Sequence, residues 1–280
     1  MSNWTTVIQP RDRLLAIDVK EMWRYRDLFV MFVRRDISTM YKQTVLGPLW
    51  WVISPILSVI VMVAVFGGIA GIPTDGVPAP LFYLLGTAIW SYFSACLSGT
   101  SNSFVENAGI FGKVYFPRMM MPFVSVTTNL VTFGVELLIF AAAFAYYAAT
   151  GGGLHVSAWM LLFPVLILLL ALMAVGFGMV ISSMTTKYRD VQMIFEQLIS
   201  MWMYVTPVIY PLSLVTNEKL HLVMSLNPVT PVMEACKYCL LGSGSLSWTW
   251  LGYSAGVTLV LLFAGILLFN RVQKSFMDTV

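Results

Sequence analysis

Charge is what this sequence has least of. Only 10% of its 280 residues are Asp, Glu, Lys or Arg, while 59% are hydrophobic. Soluble domains carry about 25% charged residues, so the chain lacks the groups needed to cover a water-facing surface. Two histidines and three cysteines exclude a disulfide framework and leave few ligands for a metal. Cys236 and Cys239 form a C-K-Y-C pair. One pair supplies two of the four ligands of a zinc site, and neither His155 nor His221 is close to it in sequence. Two uses fit the pair: small packing residues, or an external disulfide. No H-E-x-x-H, no Ser–His–acid set and no paired aspartates within apolar runs occur. Gly109-Ile-Phe-Gly112-Lys113-Val114 has the wrong spacing for a phosphate loop and lacks its final Ser or Thr. The chain therefore reads as non-enzymatic, with no metal site and no nucleotide site of its own. The first 48 residues carry charge throughout and offer no signal-peptide h-region, which predicts that the first apolar run is retained.

What is present in abundance is apolar sequence between widely spaced charges. Lys42 is followed next by Asp75, and Asp75 by Glu106; further gaps run from Glu136 to Lys187, Glu196 to Glu218 and Lys237 to Arg271. Each gap holds roughly 20 apolar residues, enough for a helix to cross about 30 Å of hydrocarbon. The runs are continuous rather than alternating, which favours helices over a barrel. The expectation is an all-α membrane protein with six transmembrane helices, at 49–70, 81–99, 119–149, 159–184, 193–211 and 248–269. Of the 16 Lys and Arg residues, all but Lys219 and Lys237 then fall on the side that holds both termini. By the positive-inside rule that side is cytoplasmic. The net charge of +3 thus reflects topology and not nucleic-acid binding.

Two segments follow from this division: a cytoplasmic N-terminal segment, 1–48, and a transmembrane domain, 49–280. Within 21–41, Tyr25, Phe29, Phe32, Val33, Ile37 and Met40 gather on one side at helical period, opposite Lys20, Arg24, Asp27, Arg34, Arg35 and Ser38. This fits an amphipathic helix in the membrane interface, and equally one packed on another domain. Residues 102–118 read as a short cytoplasmic helix broken near Pro117, and 185–190 as a tight cytoplasmic turn. Between Pro207 and Trp248, Pro207, Pro211, Pro228 and Pro231 separate apolar stretches too short to span and too apolar for a solvated loop. Short re-entrant helices before the last span fit them, as does a packed external loop.

Glu136 stands inside an apolar run, where an ionisable side chain costs roughly 2.5–3.5 kcal/mol on insertion scales. It is a functional candidate, or a hydrogen-bonding group between helices. Glu196 sits near the start of the fifth run, where snorkelling or a nearby cation accommodates it. Aromatics make up 14% of the chain. Tyr83, Trp90 and Phe93 in the second run, and Trp202, Tyr204 and Tyr210 in the fifth, offer flat apolar faces suited to sugar C–H faces, and also to helix packing. Trp90 and Phe93, at i and i+3, share a helix face with Gly86 one turn earlier.

Tyr41-Lys-Gln-Thr-Val-Leu-Gly-Pro-Leu-Trp50, with Arg34-Arg35-Asp36 before it and Pro55 after, resembles the permease subunit of ABC-2-type polysaccharide exporters. Lys113-Val-Tyr-Phe-Pro-Arg118, Tyr188-Arg-Asp190, Thr206-Pro-Val-Ile-Tyr210 and Asn227-Pro228 are similar to that family in the same order, over nearly the whole chain. The resemblance implies export of O-antigen, capsule or teichoic acid, with O-antigen the first expectation, by a homodimer of this chain and two copies of a separate ATPase. The polymer would ride on undecaprenyl diphosphate and cross the bacterial inner membrane between the two copies. No cofactor is expected in this chain; ATP and Mg would sit on the partner ATPase. Arg34, Arg35, Asp36, Asn107, Phe111, Lys113, Tyr115, Arg118, Lys187 and Arg189 become candidates for ATPase coupling. Tyr83, Trp90, Phe93, Trp202, Tyr204 and Tyr210 become candidates for the polysaccharide channel. An exporter of drugs or small lipids with the same fold is the alternative.

Overall fold

The computed structural model describes residues 19–42, 44–111, 115–150, 157–185 and 189–276. Among the described residues all regular structure is helical. Helix α1 (Val19–Arg24) runs into α2 (Arg26–Tyr41). Tyr25 between them leaves helical geometry (φ −95°, ψ 18°), yet its amide still bonds to the Glu21 carbonyl and its carbonyl accepts from Phe29. The amphipathic stretch thus forms almost without interruption.

Among the described residues, five helices are long and apolar enough to cross a membrane. The first, Gly47–Ile69, is a turn that leads into α3 (Trp50–Met62) and a wider π-helical end, Val63–Ile69. Pro55 inside α3 cannot donate a backbone hydrogen bond there. The others are α4 (Ala79–Ser101), α6 (Met120–Ala149), Ala158–Thr185 with α7 (Phe163–Thr185) at its centre, and Trp248–Gln273 within α11 (Trp248–Phe276). These match the first four expected spans and the sixth. Over the expected fifth, 193–211, the chain forms α8 (Arg189–Val205), which at 17 residues is not among these five. It stops early because Pro207 disfavours helical geometry in the residue before it.

Between these helices lie α5 (Ser103–Phe111), α9 (Glu218–Leu226) and α10 (Val229–Leu241). The Asn217 side chain caps α9 by accepting from the amides of Lys219 (3.0 Å) and Leu220 (3.4 Å). Gly242 ends α10 in the left-handed region, φ 70°, as helix C-termini commonly do. Helix α10 is buried along most of its length, whereas α9 is mostly exposed. Cys96, Cys236 and Cys239 are free and buried, consistent with the packing use of the C-K-Y-C pair.

Helix α4 is the axis of the bundle: 72% of its apolar window is buried, against 6% for the first span. It packs on α6 and α7, and α7 packs on α11. Lipid tails are as apolar as Leu, so close van der Waals approach must hold such helices together. Small residues provide it. A Cβ at Gly265 of α11 would lie 2.8 Å from the Gly176 carbonyl oxygen of α7, so the two backbones touch there.

Candidate functional site: a joint between α2, α5 and α11, and an aromatic core at α8

One end of the bundle is tied by a chain of aromatic rings. Phe32 of α2 meets Phe116 at 5.2 Å; Phe116 meets Phe111 of α5 at 5.6 Å; Phe111 meets Phe104 at 6.0 Å; Phe104 stacks on Phe269 of α11 at 4.4 Å. Three separate segments are thereby locked to one another. Two arginines lie on this chain. The Arg35 guanidinium sits 5.0 Å from the Phe32 ring centre, pairs with Asp36 at 2.8 Å and donates to Asn107 Oδ1 at 3.3 Å. Arg118 lies 5.2 Å from the Phe111 ring centre and donates to the Gln273 carbonyl at 3.0 Å. Asn107 in turn donates to the Ser103 carbonyl at 3.0 Å. A rigid shift of α5 must therefore carry α2 and α11 with it. Burial raises the Glu106 carboxyl pKa; Asp36 adds to the rise and Arg35 opposes it.

The structure brings together Arg35, Asp36, Asn107, Phe111 and Arg118 of the coupling candidates. Arg34 points away and is exposed, as is Tyr115. Lys113 and Lys187 lie outside the described residues, as does the Arg189 side chain. Glu196 accepts from the side-chain amides of Asn102 (3.4 Å) and Gln192 (3.2 Å).

The aromatic candidates divide differently. Tyr83, Trp90 and Phe93 are buried within the chain's own core. Trp90 and Phe93 contact each other at 5.5 Å and meet Trp202 of α8 edge-on at 6.3 and 5.5 Å; Phe177 of α7 completes the group at 5.3 Å from Trp202. This corrects the expectation for the Trp90–Phe93 face. Its rings face α8 and α7 and offer no free surface to a polymer. Gly86 on that face serves a close approach: a Cβ there would lie 2.6 Å from the Val208 carbonyl oxygen. Tyr210 is half-buried and donates to the Tyr204 carbonyl at 2.9 Å. Of the six, Tyr204 is the most open, at 65% exposure.

Two features near the end of α8 escaped the sequence reading. Asn227 gathers three bonds: it accepts from Trp202 Nε1 (3.1 Å) and the Val229 amide (3.2 Å), and donates to Thr206 Oγ1 (2.9 Å). Lys237, read only as a cation on the outer side, is buried in α10. Its ammonium lies 4.0 Å from the Phe82 ring centre and donates to the Pro207 carbonyl. Burial pushes its pKa down to about 8, with Glu234 and Asp75 opposing. The signal was present as Glu234-Ala-Cys-Lys237, opposite charges at i and i+3 within an apolar stretch.

A family model described as "ABC-2 type transporter" matches residues 27–241. The O-antigen export system permease protein RfbA of Myxococcus xanthus is 28% identical over 265 residues, covering 94% of this chain and 98% of that protein. A protein of the same name from Klebsiella pneumoniae is 23% identical over 252 residues, covering 90% and 94%. The polysialic acid transport protein KpsM of Escherichia coli is 21% identical over 256 residues, covering 88% and 93%. With the family match running from α2 to the end of α10, the chain belongs to the ABC-2 type transporter family.

Proposed function

We propose that this chain is the membrane subunit of a transporter that exports a lipid-linked polysaccharide, O-antigen first among the candidates, across the bacterial inner membrane. The observation that carries this reading is the similarity, over nearly the full length of both partners, to proteins named for O-antigen and polysialic acid export. The chain works as a homodimer with two copies of a separate ATPase, which holds ATP and Mg. It crosses the membrane six times, with α8 as the fifth crossing, α9 and α10 as re-entrant helices and both termini cytoplasmic. The α2–α5–α11 joint relays movement of the ATPase to the spans. The polymer enters on its undecaprenyl diphosphate carrier from the cytoplasmic leaflet.

Deletion of the gene in its host tests this reading. The expected result is loss of surface polysaccharide, accumulation of lipid-linked polymer inside the cell, and restoration by the plasmid-borne gene. Unchanged surface polysaccharide, with export of a drug or small lipid lost instead, overturns it.

A further inference from the structure

The first span, α4 and α6 border a half-open cavity of about 250 Å³ that holds a cluster of polar side chains. At bulk density that is room for roughly eight waters. Each helix turns one stripe into it at helical spacing: Ser54 and Ser58 from α3, Thr87 and Ser91 from α4, Thr132 and Glu136 from α6. Trp50, Trp51, Pro55, Leu84 and Ala88 complete the lining. Glu136 is 9% exposed, and its Oε2 has no hydrogen-bond partner; neither has Thr132 Oγ1. Thr87 spends its own proton on the Tyr83 carbonyl at 2.7 Å, so toward the cavity its oxygen can only accept.

These groups define what can fill the space. Lipid tails would leave the carboxyl and hydroxyl groups unsatisfied, at several kcal/mol each. A divalent cation needs more anionic ligands, and among the described residues no group of three His, Cys, Asp or Glu could hold one. A carboxylate accepts without donating, and a hydroxyl does both. The complementary ligand carries several neutral hydroxyl donors on a compact apolar frame. That is the chemistry of a sugar ring, whose C–H faces also suit the indoles of Trp50 and Trp51.

We propose that Glu136, with the hydroxyls around it, is a carbohydrate-binding site at mid-span, contacted by the polymer during export. The proposal rests on the polysaccharide-export reading and adds to it the place where the sugar is touched. The site replaces the Trp90–Phe93 face as the sugar contact, since those rings are spent on the protomer's own core. It uses a small number of hydroxyl bonds, which suits a substrate that must also leave.

The test uses the full complex in cells that make the polymer. The photoreactive substitution Ser58→p-benzoylphenylalanine reports on the cavity mouth, and the same residue at Leu138, 71% exposed on α6, is the control. Irradiation during export is expected to join polymer to position 58 and not to 138. Glu136→Leu is expected to lower the export rate roughly tenfold, the equivalent of one hydrogen bond to a charged group. Glu136→Gln keeps an acceptor oxygen and the same shape, and is expected to recover part of that loss. No adduct at position 58 overturns the site, whatever Glu136→Leu does to export. An adduct together with wild-type export in Glu136→Leu overturns the role of Glu136. Failure of the unsubstituted gene to restore polymer export in the deletion strain instead removes the underlying reading, so the two failures are distinguishable.

Discussion

Outside the spans, Lys237 is a charged side chain buried almost completely. Its charge has left water, and what it gains is the Pro207 carbonyl, the Phe82 ring face and the nearby carboxyls of Glu234 and Asp75. Asp75 is held in turn by Ser213, whose hydroxyl lies 2.9 Å from one carboxylate oxygen and 3.0 Å from the other. Removing the ammonium leaves a buried carbonyl without its donor and Glu234 without its counter-charge. Lys237→Ala is therefore expected to destabilise the complex by roughly 2–3 kcal/mol, the usual cost of an orphaned buried group. Lys237→Met keeps most of the stem packed on Phe82 and is expected to cost less. Thermal unfolding in detergent measures both; equal loss in the two variants would show that the cation, not the packing of its stem, is at stake, and no loss in Lys237→Met would show the reverse. The same group sets a pH dependence. Its folded pKa of about 8 lies below the ordinary 10.5, so the unfolded chain binds the proton more tightly. Its unfavourable contribution is full below about pH 8 and fades as pH rises toward 10.5. The wild type is expected to gain stability across that window relative to Lys237→Met.

At the scale of elements, α2 shows how two adjacent arginines come to do different work. Arg35 is committed inward, to Asp36, Asn107 and the Phe32 ring, while Arg34 is left outside. Arg35→Glu is expected to break the α2–α5 joint and reduce recovery of the folded chain. Arg34→Glu is expected to leave that recovery intact and to lower co-purification of the ATPase severalfold. Size-exclusion profiles and subunit ratios separate the two outcomes; identical behaviour would remove the distinction. The helical periodicity of 21–41 made this element legible in sequence, but not which arginine faces inward, because Arg34 and Arg35 sit side by side on the polar stripe and only the position of α5 decides. The spans were legible for a related reason: charge gaps register helix length directly. The aromatic faces were not. A ring at i and i+3 marks a shared face without naming its neighbour, and Trp90 and Phe93 found Trp202, more than 100 positions away, instead of a channel. The burial of Lys237 was hidden because placing a cation on the outer side says nothing of its neighbours until α10 is seen to pack on α4 and α7.

For the whole molecule the decisive quantity is the number of crossings. Among the described residues five helices qualify as spans by length and apolarity, and five crossings alone would place the termini on opposite sides. Helix α8, at 17 residues, is about 25 Å long at 1.5 Å per residue, short of the roughly 30 Å hydrocarbon layer. Its chain continues through Thr206–Tyr210, whose first four residues are buried. Asn227 and Lys237 hold that stretch against the α9–α10 unit. An irregular backbone at membrane depth is tolerated only when buried in protein in this way, so in the proposed six-crossing arrangement α8 and its extension together would supply the missing depth. Charge alone does not separate the two counts. With six crossings, Lys219 and the buried Lys237 are the cations on the outer side; with five, those two return to the cytoplasmic side and Arg271 and Lys274 take their place outside, the same ratio of 14 to 2. Alkaline phosphatase fusions, active only outside the cytoplasm, decide the matter. Fusions at Asp75 and within 151–156 are expected to be active, and fusions within 186–188 and after Val280 inactive. The fusion after Val280 is the discriminating one: activity there, with the other three as expected, would mean that α8 turns back without crossing and that the chain spans the membrane five times.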